Sequence, residues 1–302
     1  MTEFDTSLLS AWVGKKETRQ DTITVAPVRS MSALLDRDNA LQEGDRLPPL
    51  WHWLYFLPST KQSELGEDGH PKRGGFLPPV PLPRRMWAGG SLDFLAPIHV
   101  GETLTRSSCI QSVTPKKGRG GDLVFVGVEH QYHGEQGLCL RETHDIVYRD
   151  HAAPTDPPLP PVAAHTMVEA GHSASEVWSR DAVPDDVLLF RYSALTFNAH
   201  RIHYDRKYAS EVEGYPGIVM SGPMLGDWLT QCVIEWLDGT GQMTQLEYSN
   251  RKAAYIGETV TSGGRVLSVD HDKGSARLEV FIKNEAGDVI VPGTAVVAFD
   301  KA

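Results

Sequence analysis

The segment Arg191-Tyr-Ser-Ala-Leu-Thr-Phe-Asn-Ala-His-Arg-Ile-His-Tyr-Asp carries the densest set of reactive side chains in the sequence. Within eight residues it places Asn198, His200, Arg201, His203 and Asp205. Imidazole titrates near neutrality, which suits taking and returning a proton. Guanidinium grips a carboxylate through two parallel hydrogen bonds. Asp205 has two readings, partner to a histidine or helix cap. The histidines stand three apart and share one face if the segment is helical. The plainer alternatives are loop histidines and structural ion pairs for Arg191 and Arg201.

Elements must hold these groups. Shortly after the segment, Gly214-Tyr-Pro-Gly-Ile-Val-Met-Ser-Gly-Pro-Met runs into a clear helix. Ser221 is its expected N-cap and Pro223 lies in the first turn. Met224, Leu225, Trp228, Leu229, Cys232, Val233, Trp236 and Leu237 recur in pairs on one broad apolar face, read as core. Gly239 and Gly241 supply the expected stop. Short helical pieces are expected at Leu8–Val13 and Met31–Leu35. The aromatic run Trp51–Leu57 reads as buried, and the Gly/Pro-rich loop Pro58–Arg85 is long enough to suggest a functional role. From Gly101 to Arg149 the pattern alternates as strands do, with His130, His133 and His144 read as structural. A strand-rich run from Thr259 to Phe299 closes the chain.

The halves repeat. Val100-Gly-Glu-Thr-Leu-Thr is echoed by Ile256-Gly-Glu-Thr-Val-Thr, 156 residues on. Gly137 and Gly287 fall in similar turns 150 apart, an offset at which Glu129 matches Glu279. Each Gly-Glu-Thr opens about three strands, so each copy reads as an antiparallel sheet with a helix on it. The division expected is an N-terminal degenerate copy at 1–150, a proline-rich linker at 151–165 and a C-terminal catalytic copy at 166–302.

The 302 residues carry a formal net charge of −10, the wrong sign for sequence-independent nucleic-acid binding. Three cysteines, Cys109, Cys139 and Cys232, form neither a zinc spacing nor an even disulfide set, which points to a reducing cytoplasm. The N-terminus lacks a signal-peptide core, and no apolar run is long enough to span a membrane. Neither a Gly-rich nucleotide motif nor a nucleophile elbow is present.

With these residues in order, the second half resembles the hydratase signature of the MaoC-like hotdog family. Ala11-Trp-Val-Gly-Lys, Asp68-Gly-His-Pro, Gly74-Gly-Phe-Leu-Pro-Pro and Arg84-Arg-Met-Trp-Ala-Gly-Gly extend the likeness to nearly the whole chain. They resemble the subgroup of mesaconyl-C4-CoA (3-methylfumaryl-CoA) and itaconyl-CoA hydratases, akin to mitochondrial 3-hydroxyacyl-thioester dehydratases. The resemblance implies an α+β double hotdog: two fused helix-on-antiparallel-sheet domains. It puts the family's catalytic histidine on His203, the following acid on Asp205, the catalytic aspartate on Asn198, an asparagine on His200 and the helix-start glycine on Gly222.

An amide at 198 cannot take a proton as a carboxylate does, so the family's two-residue acid–base scheme is altered. What the resemblance implies is reversible hydration of a short branched, dicarboxylic enoyl-CoA thioester. His203 is then the base toward water or the α-proton. Asn198 positions the water, and Asp205 or His200 serves as orienter or second proton donor. Ser221-Gly222 starts a helix whose N–H groups meet the developing thioester oxyanion. Arg201 or Arg191 pairs with a free substrate carboxylate, and Lys116, Lys117, Arg119, Arg251 and Lys252 are candidates for CoA phosphates. Neither metal nor redox cofactor is implied, since CoA is part of the substrate. An acyl-CoA is the expected partner, without nucleic acid or membrane, and both monomer and homodimer are compatible. Itaconyl-CoA or other 3-hydroxyacyl thioesters, thioester hydrolysis, and acyl-thioester binding without catalysis are the alternatives.

Overall fold

A computed structural model describes residues 6–38, 41–118, 121–150 and 177–299. The expected linker at 151–165 and Arg119 lie outside the described residues. Ten strands form one antiparallel sheet. The first half gives β1 (Lys16–Thr22), β2 (Arg84–Phe94), β3 (Thr103–Gly118), β4 (Gly121–Gly134) and β5 (Gly137–Arg149). The second gives β6 (Val177–Ala182), β7 (Gly241–Ser249), β8 (Val260–Asp270), β9 (Ser275–Lys283) and β10 (Val289–Phe299).

The order β1-β3-β4-β5-β2-β7-β10-β9-β8-β6 is the same five-strand pattern read inward from either edge. The repeat seen in the sequence therefore survives in the register. Cys109 faces Glu129 across β3 and β4, and Arg265, 156 positions beyond Cys109, faces Glu279 across β8 and β9. Gly101 and Gly257 share positive φ (+97° and +86°), as do Gly137 and Gly287 (+96° and +80°). β2 and β7 join the halves at the sheet's centre. Beside this seam β2 bulges at Ala88, and Gly89 (φ +145°) passes so close to β7 that a Cβ there would lie 2.3 Å from the Tyr248 carbonyl oxygen.

The helices are α1 (Thr6–Ser10), α2 (Val25–Leu34), α3 (Asp186–Leu195) and α4 (Gly222–Leu237). α2 begins well before the expected Met31, because Pro27 is tolerated in a first turn where its missing N–H costs no helical bond. α4 appears where its apolar spacing predicts, but its ends differ from expectation. Ser221 occupies the cap position without a side-chain cap bond, and the left-handed stop starts at Asp238 (φ +45°). More of α4 is buried than one apolar face: Asp227, Thr230 and Gln231 are inside too.

The reason is that the first half covers the other side of α4. Its 3₁₀ turn, Trp51–Leu54, lies just before its long loop, and Leu50 and Trp53 pack within 3.3 Å of a Cβ position at Gly226. Buried polar groups there must find partners. Tyr192 O–H donates to Asp227 at 2.7 Å, and Arg37 reaches Gln231. Trp236 lies at the rim of this core, stacked on Trp178 at 4.6 Å. None of the helices in the described residues is long and apolar enough to cross a membrane.

Candidate active site

A cavity of about 1130 Å³ opens between the halves. Its walls come from Trp53–Pro58, Gly69–Pro71 and the start of β2 on one side, and from the 190–204, 214–223 and 250–255 segments on the other. Asn198, His200, His203, Ser221, Gly222 and Arg251 all line it.

His203 ends a 3₁₀ turn, Arg201–His203, and is buried. Its Nδ1 lies 2.8 Å from the Val219 carbonyl oxygen. A carbonyl only accepts, so Nδ1 carries the hydrogen and Nε2 keeps a lone pair. Burial, reinforced by the neighbouring His200, lowers the His203 pKa to about 3 against the opposing pull of the Val219 bond and Glu213. The ring is therefore neutral across the physiological range and can accept a hydrogen from a bound molecule.

His200 is buried with its ring 5.4 Å from that of His203. Its Nε2 lies 3.6 Å from Glu213 Oε1, and Arg84 Nε donates to the other Glu213 oxygen at 3.0 Å. Burial raises the Glu213 pKa, but His200 and Arg84 outweigh it and hold the carboxyl below its ordinary range. Asn198 Oδ1 accepts the His200 backbone N–H at 3.1 Å, fixing the turn that carries both histidines.

At the other wall, the first N–H groups of α4 have no helical carbonyl to bond, and the helix dipole favours an anion there. Ser221 Oγ is buried and has no hydrogen-bond partner among the described residues. Asn250 stands beside Gly222 and donates to the Trp87 carbonyl at 3.1 Å.

Other expected residues lie elsewhere. Arg201 donates twice to one Asp205 oxygen, at 2.7 and 3.1 Å, and the second Asp205 oxygen accepts the Tyr208 N–H at 3.0 Å. That bond, then Arg201, lowers the Asp205 pKa. The two side chains brace the turn after His203 and do not line the cavity. Arg191 is exposed on α3, and Lys116 rests over the Phe125 ring at 4.9 Å on the β3–β4 hairpin; neither lines the cavity. Lys117 is exposed on the same hairpin. Lys252 lines it, but its ammonium is 2.7 Å from Asp288.

Sequence reading missed much of the first half's contribution. His144, read as structural, lines the cavity and belongs to a buried cluster centred on Glu142. Glu142 accepts from Trp53 Nε1 at 2.7 Å and Tyr132 O–H at 3.1 Å, with His52 Nε2 at 3.0 Å and His144 Nε2 at 2.5 Å. Burial opposes ionisation of this carboxyl, but His144 and His52 prevail and hold it well below the usual range. Glu142 and His144, two apart on β5, point to the same face, a pairing the sequence displayed without its partners. His130 bonds Ser108 at 2.7 Å behind this cluster. The remaining additions are Asp68 and His70, 3.0 Å apart, from the long loop, and Arg85 at the start of β2, beside His70 and Tyr148.

Comparison with known proteins gives the family. Residues 50–256 match the family described as Hydroxyacyl-thioester dehydratase type 2. A mesaconyl-C(4)-CoA hydratase of Chloroflexus aurantiacus is 48% identical over 71% of this chain and 74% of its own. A mitochondrial hydroxyacyl-thioester dehydratase type 2 of Schizosaccharomyces pombe is 28% identical over 59% and 64%. Among solved structures, a MaoC-like dehydratase superposes with a TM-score of 0.69 at 15% identity, covering 97% of this chain and all of the other. A Mycobacterium tuberculosis protein described as a double hotdog gives 0.60 at 14%, covering 95% and 96%. The mirrored ten-strand sheet, the helix-start cavity and the match across residues 50–256 converge: the chain is a double hotdog and belongs to the hydroxyacyl-thioester dehydratase type 2 family.

Proposed function

We propose that the protein is a hydro-lyase that reversibly adds water across the double bond of a short, branched, dicarboxylic enoyl-CoA thioester of the mesaconyl-C4-CoA kind. The observation that carries this reading is the neutral His203, its Nδ1 fixed by Val219 and its Nε2 left to accept, in one cavity with the open N-terminus of α4. The thioester oxygen sits at the Ser221–Gly222 helix start, where N–H groups meet charge as it develops. The attacking water presents a hydrogen to His203 Nε2. Asn198 keeps the His200 turn in place and completes the water's surroundings. The substrate's second carboxylate, attached to the carbon that water attacks, pairs with Arg85 rather than Arg201 or Arg191. Arg85 lines the cavity and faces His70 and Tyr148, whereas Arg201 is held by Asp205 and Arg191 points to solvent.

CoA enters as part of the substrate, with Arg251 the cavity-lining cation for its phosphates. Phe190, Phe197 and Tyr204, large side chains left exposed along the same wall, suit the pantetheine arm. The free thiols Cys109, Cys139 and Cys232 fit the cytoplasm as location.

Purified protein should hydrate mesaconyl-C4-CoA, read as loss of enoyl-thioester absorbance without release of free thiol. His203→Ala should lose at least about a hundredfold in kcat. Thiol release instead would mean hydrolysis, and the hydratase reading would fall. Full activity in the variant would remove His203 from the chemistry.

A further inference from the structure

The Asp68-Gly-His70 turn belongs to the first half's long loop, yet it docks on the second half's histidine segment. Arg201 N–H donates to the Asp68 carbonyl oxygen at 2.9 Å. A Cβ on Gly69 (φ +88°) would lie 1.8 Å from the Ala199 carbonyl oxygen, so only glycine permits this approach. The result is a cluster of three imidazoles. The His70 ring is 4.1 Å from that of His200, which is 5.4 Å from that of His203. His70 Nδ1 lies 3.0 Å from Asp68 Oδ2, and the other Asp68 oxygen accepts the His70 backbone N–H at 3.0 Å. His70 lines the cavity. With Nδ1–H held by a carboxylate, Nε2 keeps the lone pair, the arrangement of a carboxylate-backed general base.

We propose that His70, oriented by Asp68, is the proton-transfer group that works beside the water-orienting His203, supplied by the first half in place of the carboxylate that Asn198 lacks. The proposal rests on the hydratase reading. In hydration one water gives a hydrogen bond to each of His203 Nε2 and His70 Nε2. Its oxygen bonds to the β-carbon while the π pair moves through the α-carbon onto the thioester oxygen at the α4 N-terminus. The proton goes to His70, whose imidazolium is balanced by Asp68. It then passes to the α-carbon as the enolate collapses. The hydrogen facing His203 stays in the product hydroxyl. The enzyme returns to its starting protonation state, and dehydration is the reverse.

His70 suits the charged step better than His203 because His203 has no carboxylate in contact. Burial, then Arg85, and then His200 hold the His70 pKa low, against Asp68. A substrate carboxylate seated on Arg85 would cancel that repulsion and make His70 more basic only when substrate is bound.

The test compares wild type, His70→Ala and Asp68→Asn on mesaconyl-C4-CoA. His70→Ala should lower kcat at least about a hundredfold with KM and Tm little changed, and added imidazole should restore part of the rate. Asp68→Asn should lower kcat at least about tenfold. If His70→Ala keeps kcat within about threefold of an active wild type, or its loss resists imidazole, the proposal fails while the hydratase reading stands. Asp68, His70 and His200 also place ligand atoms within 4.8 Å of one another. Loss of wild-type activity to a chelator, with recovery on adding a divalent cation, would make them metal ligands and overturn the proposal. A wild type that hydrates nothing overturns both readings.

Discussion

Gly69 is the tightest point between the first half's loop and the histidine segment, and replacing it with alanine perturbs the site without removing any reactive group. A Cβ there would meet the Ala199 carbonyl oxygen at 1.8 Å, against an ordinary carbon–oxygen contact of about 3.3 Å. The obstacle is backbone, so the two segments must separate by roughly 1.5 Å. Three costs follow. Alanine at a φ of +88° adds about 1–2 kcal/mol. Losing the 2.9 Å bond from Arg201 N–H to Asp68 adds about 0.5–1.5 kcal/mol. Displacing His70 by about 1 Å costs on the order of a hundredfold in rate. We therefore expect kcat/KM for mesaconyl-C4-CoA to fall about a hundredfold and Tm to fall by roughly 2–6 °C. The assay is initial-rate hydration at 25 °C with parallel thermal unfolding. Gly75→Ala, in the same loop with open space around its Cβ position, is the control that should change neither. A Gly69→Ala enzyme within about threefold of wild type would show that the loop's docking is irrelevant to catalysis.

Two further perturbations follow from buried carboxyls. Burial raises the Asp227 pKa to about 7, against the Tyr192 hydrogen bond and Arg37. The folded state then holds a proton that the unfolded chain releases above about pH 4, so stability falls as pH rises through this window, by up to about 1.4 kcal/mol per unit. Asp227→Asn should raise Tm more at pH 8 than at pH 4.5, and an equal effect at both would refute the assignment. Glu142→Ala strips Trp53, Tyr132 and His52 of one buried acceptor and leaves His144 without its ion-pair partner; it should cost about 3–5 kcal/mol, read by denaturant unfolding, and a loss below about 1 kcal/mol would mean the cluster is slack.

Whatever depends on local spacing and on repetition was legible in the sequence. Paired apolar residues every turn define α4 because its period is that of a helix. Gly101 and Gly257 mark the duplication because both turns need positive φ. His203 and Gly222 are legible because the segment that holds them is continuous in the chain. Long-range docking decided the rest. The burial of Asp227, Thr230 and Gln231 depends on Trp51–Leu54 lying across a helix some 170 residues away in sequence. Glu142 gathers His52 and Trp53 from the 3₁₀ turn and Tyr132 from β4. Arg201 and Asp205 look reactive in sequence, but the fold pairs them with each other. Asp68-Gly-His70, which reads as an ordinary turn, enters the site because Gly69 lets its backbone pass against Ala199. A contact of that kind has no sequence period, and only the tertiary structure can bring it about.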